Sequence, residues 1–397
     1  MQQTVYPETN LPQDTAGQPL PDPKPARQRV ILDERGLLDV PFLVLTVLLV
    51  LIGVLMMFSA SYARAYSTEG KATYYFARQA IFAAVGIGVM LFFSTWNYQA
   101  WRGLSFFILA AAIVFLLLVP FIGIEENGAK RWIYLGFTSF QPSEVAKLGI
   151  VLTFASMISY YRDRMHNFRE GILPFVVIIA VVCGLLVLEP HLSAIIIILG
   201  VSAAMLFLGG VQLRWFAAGL GAVAVFIAVY LSTKGYASGR IQAWLHPFED
   251  SSDSSYQIVQ SLYAIGSGGL MGLGLGKSRQ KYLYLPEEHN DYIFPIVCEE
   301  LGFVGAMVVI LLFVLLIVRG YWIALHARDR FGMLVAGGLT TLLALQVFLN
   351  IGVVTNLLPA TGISLPFFSY GGTALLIQLF EMGVILSISR QNENKLA

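Results

Sequence analysis

Apolar residues in this chain occur in long blocks that carry almost no charge and are separated by polar segments. The blocks are about 17 to 25 residues long, the length that a helix needs to cross roughly 30 Å of hydrocarbon. We therefore expect an all-α integral membrane protein of about ten transmembrane helices. The predicted spans are 39–61, 74–94, 101–123, 143–160, 173–188, 193–209, 213–232, 293–318, 332–354 and 367–388.

Composition supports a membrane protein and excludes other classes. Apolar residues make up 57% and charged residues 12% of the 397 positions, and the charged share is about half that of a typical soluble domain. The net charge of +1 gives no basic footprint for binding nucleic acid. Cys183 and Cys298 both lie in apolar blocks, so we expect buried thiols instead of a disulfide or a zinc site.

The distribution of basic residues predicts the orientation in the membrane. They cluster before the first span and in alternate short loops, which places both termini in the cytoplasm. Residues 1–38 are polar and proline-rich and predict a disordered cytoplasmic tail. The membrane domain is expected at 39–388, followed by a cytoplasmic tail at 389–397. The segments expected outside are 124–142, the turn at 189–191, the long loop 233–292, and 355–366.

The first outer segment and the helix after it contain ionisable residues near the membrane boundary. Lys130 and Arg131 could extend to lipid headgroups or bind a pyrophosphate. Ser143 could cap the next helix, with Glu144 in its first turn. Lys147 follows Glu144 by three residues, so the two could pair on one helix face. Ionisable groups at membrane depth are often functional or line a polar cavity, so Glu144 and Lys147 are either cavity residues or a local ion pair.

The long outer loop contains a glycine-rich stretch that ends in Gly276-Lys277-Ser278. A phosphate-binding P-loop requires glycine five positions before Gly276, where this chain has Met271. The segment is also expected outside, away from cytoplasmic ATP, so we predict no nucleotide site. The glycines are expected to allow a re-entrant or surface-lying backbone against the membrane.

The same loop ends in a group of ionisable residues that includes Glu287, His289 and Asp291. Asp291 either caps the following helix or acts as a functional carboxylate, and its ionisable neighbours favour a functional role. On an ideal helix, Glu299 lies about 80° around the axis from Asp291, whereas Glu300 lies on the opposite side. We therefore expect only Glu299 to lie near the same cavity.

The last outer segment, 350–373, contains Pro359, Pro366 and several glycines, which break a helix. Broken backbone at membrane depth is buried in protein or lines a wet cavity, although a simple turn between helices is the alternative. We expect this segment, 124–147 and the end of the long loop to form the walls of a cavity. That cavity would open outward and sideways into the bilayer.

Together these segments resemble the FtsW/RodA (SEDS) family over nearly all of the chain after residue 39. The region before Pro286 is more similar to FtsW or its sporulation relative than to RodA. Asn290 stands where the family usually has threonine, and His191 stands where it usually has aspartate. The segments that match in order and spacing include Ala129–Trp132, Gln141–Lys147, Gly239–Ile241, Leu285–Phe294, Glu299–Gly302 and Leu365–Gly372.

The resemblance implies a peptidoglycan glycosyltransferase of the bacterial cytoplasmic membrane that polymerises lipid II into glycan strands during cell division. The implied partners are a class B penicillin-binding protein, which is a transpeptidase, and other divisome proteins at the septum. A lipid II flippase and a non-catalytic divisome scaffold remain as alternatives.

The resemblance also implies roles for individual residues. The essential aspartate of the family falls on Asp291, which would act as the base or would bind a divalent cation, Mg²⁺ or Mn²⁺. The candidates for holding phosphate are Lys130, Arg131 and Arg240. The other residues expected at the substrate site or along the cavity are Glu144, Lys147, Glu287, His289 and Glu299.

Overall fold

The computed structural model describes residues 36–126, 129–134, 136, 138–161, 164–165, 167–221, 242–249 and 253–391. Residues 213–221 are also helical, but the rest of the predicted span 213–232 and Arg240 lie outside the described residues. The helices are α1 Val40–Glu69, α2 Tyr74–Ser94, α3 Gln99–Ile122, α4 Pro142–Tyr161, α5 Leu173–Leu188, α6 Leu192–Leu208, α7 Asp253–Ser267, α8 Ile293–Leu325, α9 Arg330–Val354 and α10 Gly372–Arg390.

Seven helices of the described part are long and apolar enough to cross a membrane. They are α1, α2, α3, Phe168–Leu188, α8, α9 and α10, and α6 is a shorter apolar helix. The fold is therefore that of a helical membrane protein, whereas the count of ten spans stays a prediction. Of the most apolar window of each span, 67% is buried in α9 and 72% in α10, against 22–39% in the others. These two helices form the centre of the bundle.

Two predicted helix boundaries were wrong in ways that affect the site. Helix α1 does not end at 61 but continues to Glu69, where Gly70 closes it with a φ of 66°. The last helix does not begin at 367, because Pro366 cannot continue a helical turn and Phe367 has a φ of 67°. It begins at Gly372, so the preceding segment stays irregular.

Segment 124–142, which is predicted to lie outside, contains a small antiparallel sheet that the all-α prediction missed; it is called the outer sheet below. Its strands are Ile124–Glu126, Ala129–Tyr134 and Ser139–Phe140, paired in chain order. Ala129 and Ile133 are the buried residues of the middle strand. The strands are too short for an alternating pattern to be recognised in the sequence. The sheet is a local cover on a helical fold.

Helix α8 is broken at Gly302, which has φ 71° and ψ −173°. The carbonyl oxygens of Glu299 and Glu300 accept hydrogen bonds from the backbone of the glycine-rich segment, from Leu273 N and Gly274 N, at 3.0 Å each. Beyond the break, the N–H groups of Phe303 and Val304 donate to Gly269 O (2.9 Å) and Leu270 O (3.1 Å). The inserted segment thus replaces the helix's own hydrogen bonds, which satisfies the buried backbone groups.

The glycines of this segment are explained by how closely it approaches α8. A Cβ at Gly272 would lie 2.2 Å from Glu300 O, and one at Gly268 would lie 2.1 Å from Cys298 O. Neither site has room for a side chain. The glycines of this segment therefore serve packing against a broken helix, and the expected re-entrant or surface-lying position at the membrane stays a prediction.

Candidate active site

Asp291 lies directly before α8, on the turn that ends the long loop. The N-cap of α8 is Tyr292, so the alternative of Asp291 as a helix cap was wrong. Asp291 is half-buried, and a Cβ at Gly362 would lie 2.8 Å from its Oδ2 atom. Asn350 Nδ2 donates to Asp291 O at 2.8 Å and to Ile363 O at 2.7 Å. Asp291 is therefore seated against the 350–373 segment.

The residues before Asp291 are held by the same segment. Tyr370 N donates to His289 O at 2.9 Å, and Ser369 Oγ donates to Asn290 O at 2.7 Å. Asn290 Nδ2 in turn donates to Glu287 Oε2 at 2.5 Å. The structure thus brings Glu287, His289 and Asp291 together on one turn, braced by a second predicted wall of the cavity.

Glu288 is the fourth ionisable residue on this turn, and its partner was not predicted from the sequence. Glu288 is fully buried and receives two hydrogen bonds from Arg64, Nε to Oε1 and Nη2 to Oε2, each 2.8 Å long. Arg64 is available because α1 extends beyond its predicted end. Burial raises the pKa of Glu288, and the hydrogen bond from Arg64 opposes that shift.

His289 is buried among aromatic side chains near Asp291. Its ring centroid lies 5.0 Å from that of Tyr75 and 5.9 Å from that of Tyr370. Burial, together with the positive charge of Arg64, lowers the pKa of His289 to about 4. The imidazole is therefore neutral at pH 7, and it suits hydrogen bonding better than charge stabilisation.

The structure corrects the assignment of Glu299 and Glu300 to opposite sides. Asp291 precedes the helix, so a helical wheel that includes it does not apply. Glu299 accepts hydrogen bonds from Ser278 Oγ and Arg279 N, whereas Glu300 accepts from Ser278 N and forms an ion pair with Lys281 Nζ at 3.0 Å. Both carboxylates are buried and hold the 278–281 segment. Their contacts indicate a structural role.

The predicted ion pair between Glu144 and Lys147 is confirmed, with 2.7 Å between Lys147 Nζ and Glu144 Oε2. Both residues are buried, as is Glu381 of α10, which interacts electrostatically with them. The predicted cap by Ser143 was wrong, because α4 already begins at Pro142. The bundle thus buries three ionisable residues that interact with one another, which are usually functional or line a polar cavity in a membrane protein.

The predicted phosphate ligands of the outer segment have protein partners. Arg131 Nη2 donates to Pro190 O at 2.6 Å, and the exposed Lys130 Nζ lies 3.5 Å from Pro120 O. Arg131 also lies close enough to Glu189 and His191 for its positive charge to lower their pKa values. Burial raises the pKa of Glu189 to about 8, whereas burial, Arg131 and Lys147 lower that of His191 to about 3.

The 350–373 segment connects the turn at residues 287–291, called the Asp291 turn, with the outer sheet. Ser369 and Tyr370 hold the Asp291 turn, and Thr373 Oγ1 donates to Ser139 O of the outer sheet at 2.8 Å. Gln79 of α2 fixes the segment between them, donating to Ser369 O at 3.1 Å. The 350–373 segment therefore contacts both other predicted walls, whereas the cavity itself stays a prediction.

The donor set around Asp291 limits what cation it could hold. Among the described residues there is no group of three or more His, Cys, Asp or Glu side chains that could hold a metal ion. Mg²⁺ is often bound by one or two carboxylates, with substrate phosphates completing its coordination. Asp291 therefore fits only a cation that it shares with a phosphate-bearing substrate.

Comparison with known proteins decides the family. The model of the cell cycle protein family that comprises FtsW, RodA and SpoVE matches residues 40–394. The chain belongs to this family. Stage V sporulation protein E of Bacillus subtilis is 40% identical over 355 residues, which cover 89% of this chain and 97% of that protein. A protein of Geobacter sulfurreducens named as a probable peptidoglycan glycosyltransferase FtsW is 39% identical over 354 residues, covering 88% and 95%.

The fold of an FtsW/RodA/SpoVE protein is also supported by a solved structure. A chain from a structure described as a peptidoglycan synthase complex, concerned with the coordination of polymerisation and crosslinking, matches with a TM-score of 0.74 and 28% identity. The match covers 89% of this chain and 98% of that chain. The similarity extends over the whole described membrane domain.

Several residues of the candidate site could not be selected from the sequence alone. Arg64 lies beyond the predicted first span, and Glu288 was one carboxylate among several. Glu381 carried a usable signal, because a carboxylate inside an apolar span is costly unless it has a partner or a function. The residues that the structure adds around the predicted ones are Arg64, Tyr75, Gln79, Glu189, Glu288, Asn350, Ser369, Tyr370 and Glu381.

Proposed function

We propose that this protein is a peptidoglycan glycosyltransferase that polymerises lipid II on the outer face of the bacterial cytoplasmic membrane. The observation that carries the proposal is nearly full-length membership of a family with relatives named for this activity. The local geometry supports it, because Asp291 lies directly before α8 and against a broken, glycine-containing segment.

In the proposed reaction, Asp291 acts as the general base. A hydroxyl oxygen of the acceptor sugar attacks the anomeric carbon of the donor. As that C–O bond forms, the bond from the anomeric carbon to the pyrophosphate oxygen breaks. The hydroxyl proton passes to the Asp291 carboxylate, and the lipid pyrophosphate leaves with the bonding electron pair.

The leaving pyrophosphate requires positive charge. Arg131 and Lys130 are candidates that would exchange their present carbonyl partners for phosphate oxygens. Arg240 remains a candidate from the sequence. A divalent cation, Mg²⁺ or Mn²⁺, held jointly by Asp291 and the substrate would supply further charge neutralisation.

The proposal includes a partner and an orientation. A class B penicillin-binding protein would crosslink the glycan made here, since a chain of similar fold belongs to a structure described by both polymerisation and crosslinking. Both termini would lie in the cytoplasm, because the basic residues cluster on that side. Several relatives are named FtsW, which supports a division role at the septum.

The test is polymerisation of labelled lipid II by the purified chain with its penicillin-binding partner and Mg²⁺ in proteoliposomes. We expect glycan polymer from the wild type and none from Asp291→Ala at equal folding and partner binding. Unchanged polymer from Asp291→Ala would refute the site assignment. Movement of lipid II between leaflets without polymer would indicate a flippase.

A further inference from the structure

Helix α1 is tied to the region of α8 by two ion pairs of the same type. Near the start of α1, the Nε and Nη2 groups of Arg319 donate hydrogen bonds to the two carboxylate oxygens of Asp39 at 3.0 and 2.9 Å. Near its end, Arg64 makes the equivalent pair of bonds to Glu288. In both pairs the carboxylate side chain is 0% exposed, and the arginine side chain is 30% exposed for Arg319 and 25% for Arg64.

The two ion pairs differ in the structure around the residue that pairs with α1, which is Arg319 in one and Glu288 in the other. Arg319 lies within helix α8, so its pair joins the N-cap residue of α1 to a helical residue. Glu288 lies on the turn three residues before Asp291, where Glu287 has a φ of 55° that L-residues rarely adopt. Two backbone hydrogen bonds lie within the turn, from Asn290 N and Tyr292 N to Glu287 O (3.0 and 3.2 Å), and its other backbone bonds come from outside it.

The backbone carbonyls on the Asp291 side of this turn are held by a different part of the molecule from the one that holds Glu288. The backbone carbonyls of His289, Asn290 and Asp291 accept hydrogen bonds from Tyr370, Ser369 and Asn350. The bonds from Arg64 approach from α1 and hold a side chain instead of the backbone. We infer that Arg64, through Glu288, is a positioning residue that sets the orientation of Asp291 for glycosyl transfer.

The geometry of the Arg64–Glu288 pair suits a role in orienting the turn before Asp291, beyond attaching that turn to α1. A guanidinium group that bonds both oxygens of a carboxylate fixes the angle as well as the distance. A general base has to lie within hydrogen-bond reach of the proton that it removes, and a displacement of about 1 Å can reduce the rate about 10²-fold. Loss of the pair would therefore reduce turnover more than substrate binding, since Arg64 contacts the turn and not the reacting atoms.

The experiment compares Arg64→Gln/Glu288→Gln with Asp39→Asn/Arg319→Gln in the lipid II polymerisation assay. Each double variant removes both charges, so neither leaves an unpaired buried charge that would unfold the protein. We expect kcat to fall at least about tenfold in the first variant with KM changed less than about twofold. The second variant should keep both constants near wild type at a similar melting temperature.

Two further measurements separate positioning from stability. Arg64→Lys keeps the charge but loses the two-point geometry, so its kcat should lie between those of Arg64→Gln/Glu288→Gln and the wild type. Hydrogen exchange of amides 287–292 should accelerate in the first double variant and not in the second. This readout needs only folded protein and does not depend on activity.

The inference rests on the proposed function, but failure of the inference can be distinguished from failure of the proposed function. Wild-type kcat in Arg64→Gln/Glu288→Gln, while Asp291→Asn is inactive, would overturn the inference and leave the function standing. Equal loss of kcat in both double variants would also overturn it, because a general effect of losing α1 contacts would explain the data. A wild type that makes no polymer would overturn both.

Discussion

At the scale of single residues, the site depends on ionisable side chains whose partners lie far away in the sequence. Glu288 is hydrogen-bonded to Arg64, and Lys147 of α4 interacts electrostatically with Glu381 of α10. Residue type and position made Asp291, Glu144 and Lys147 candidates, and the family resemblance singled out Asp291. It could not identify the long-range partners, since a pairing between helices is set by packing and not by spacing along the chain.

Gly362 tests how closely the Asp291 carboxylate is seated. In Gly362→Ala the new Cβ would lie 2.8 Å from Asp291 Oδ2, so the carboxylate must move while the backbone can stay. We expect lipid II polymerisation to fall up to about 10²-fold, with the melting temperature little changed. Gly184→Ala, where nothing lies within 4 Å of the new Cβ, is the control. Full activity of Gly362→Ala would show that the position of this carboxylate does not limit the reaction.

His191 predicts a pH dependence of stability. Its pKa in the folded protein is lowered to about 3 from the usual 6.5, so below pH 6.5 the unfolded chain binds a proton that the folded chain does not. Stability therefore falls as the pH drops from 6.5 towards 3, by roughly 2 kcal/mol at pH 5 for this residue.

Removal of the imidazole should reduce that loss. We expect the melting temperature of His191→Gln to fall less between pH 7 and pH 5 than that of the wild type. His289, whose pKa is lowered to about 4, maintains part of the loss in both proteins. His246→Gln, at a side chain 58% exposed, should behave as the wild type does. An identical pH response of His191→Gln and wild type would contradict the buried neutral state.

At the scale of elements, the long apolar blocks predicted most helices within a few residues, since span length follows from bilayer thickness. The misses have physical causes. The small sheet at 124–140 is too short to show a period. The break in α8 is produced by a segment more than 25 residues earlier in the chain, and a single Gly302 in an apolar helix gives no sign of it.

The inserted glycine-rich segment can be tested at Gly302. In Gly302→Ala the Cβ would meet the backbone at Gly272 N (2.2 Å) and Leu270 O (2.6 Å), and the φ of 71° disfavours a side chain as well. We expect a loss of several kcal/mol of unfolding free energy, at the upper end for single substitutions, measured as a large drop in melting temperature. Gly88→Ala in α2, with open space around its Cβ, should have little effect. Equal stability of the two variants would exclude the close backbone packing.

At the scale of the whole molecule, the helical membrane fold and the family could both be recognised from the sequence. The arrangement of the three predicted cavity walls could be foreseen only in part. It depends on contacts of the 350–373 segment with both the Asp291 turn and the outer sheet. That segment was expected to line a cavity because broken backbone at membrane depth must be buried or solvated. Its exact partners required the structure.

The central claim is that Asp291 takes the proton from the acceptor hydroxyl during polymerisation of lipid II. The most direct measurement is the initial rate of glycan formation per folded molecule for wild type, Asp291→Asn and the control Glu125→Gln, an exposed acid of the outer sheet, in proteoliposomes with the penicillin-binding partner. Loss of a general base should lower the rate by about 10²–10⁴-fold in Asp291→Asn, while Glu125→Gln stays at the wild-type rate. A rate for Asp291→Asn equal to that of the wild type would contradict the account.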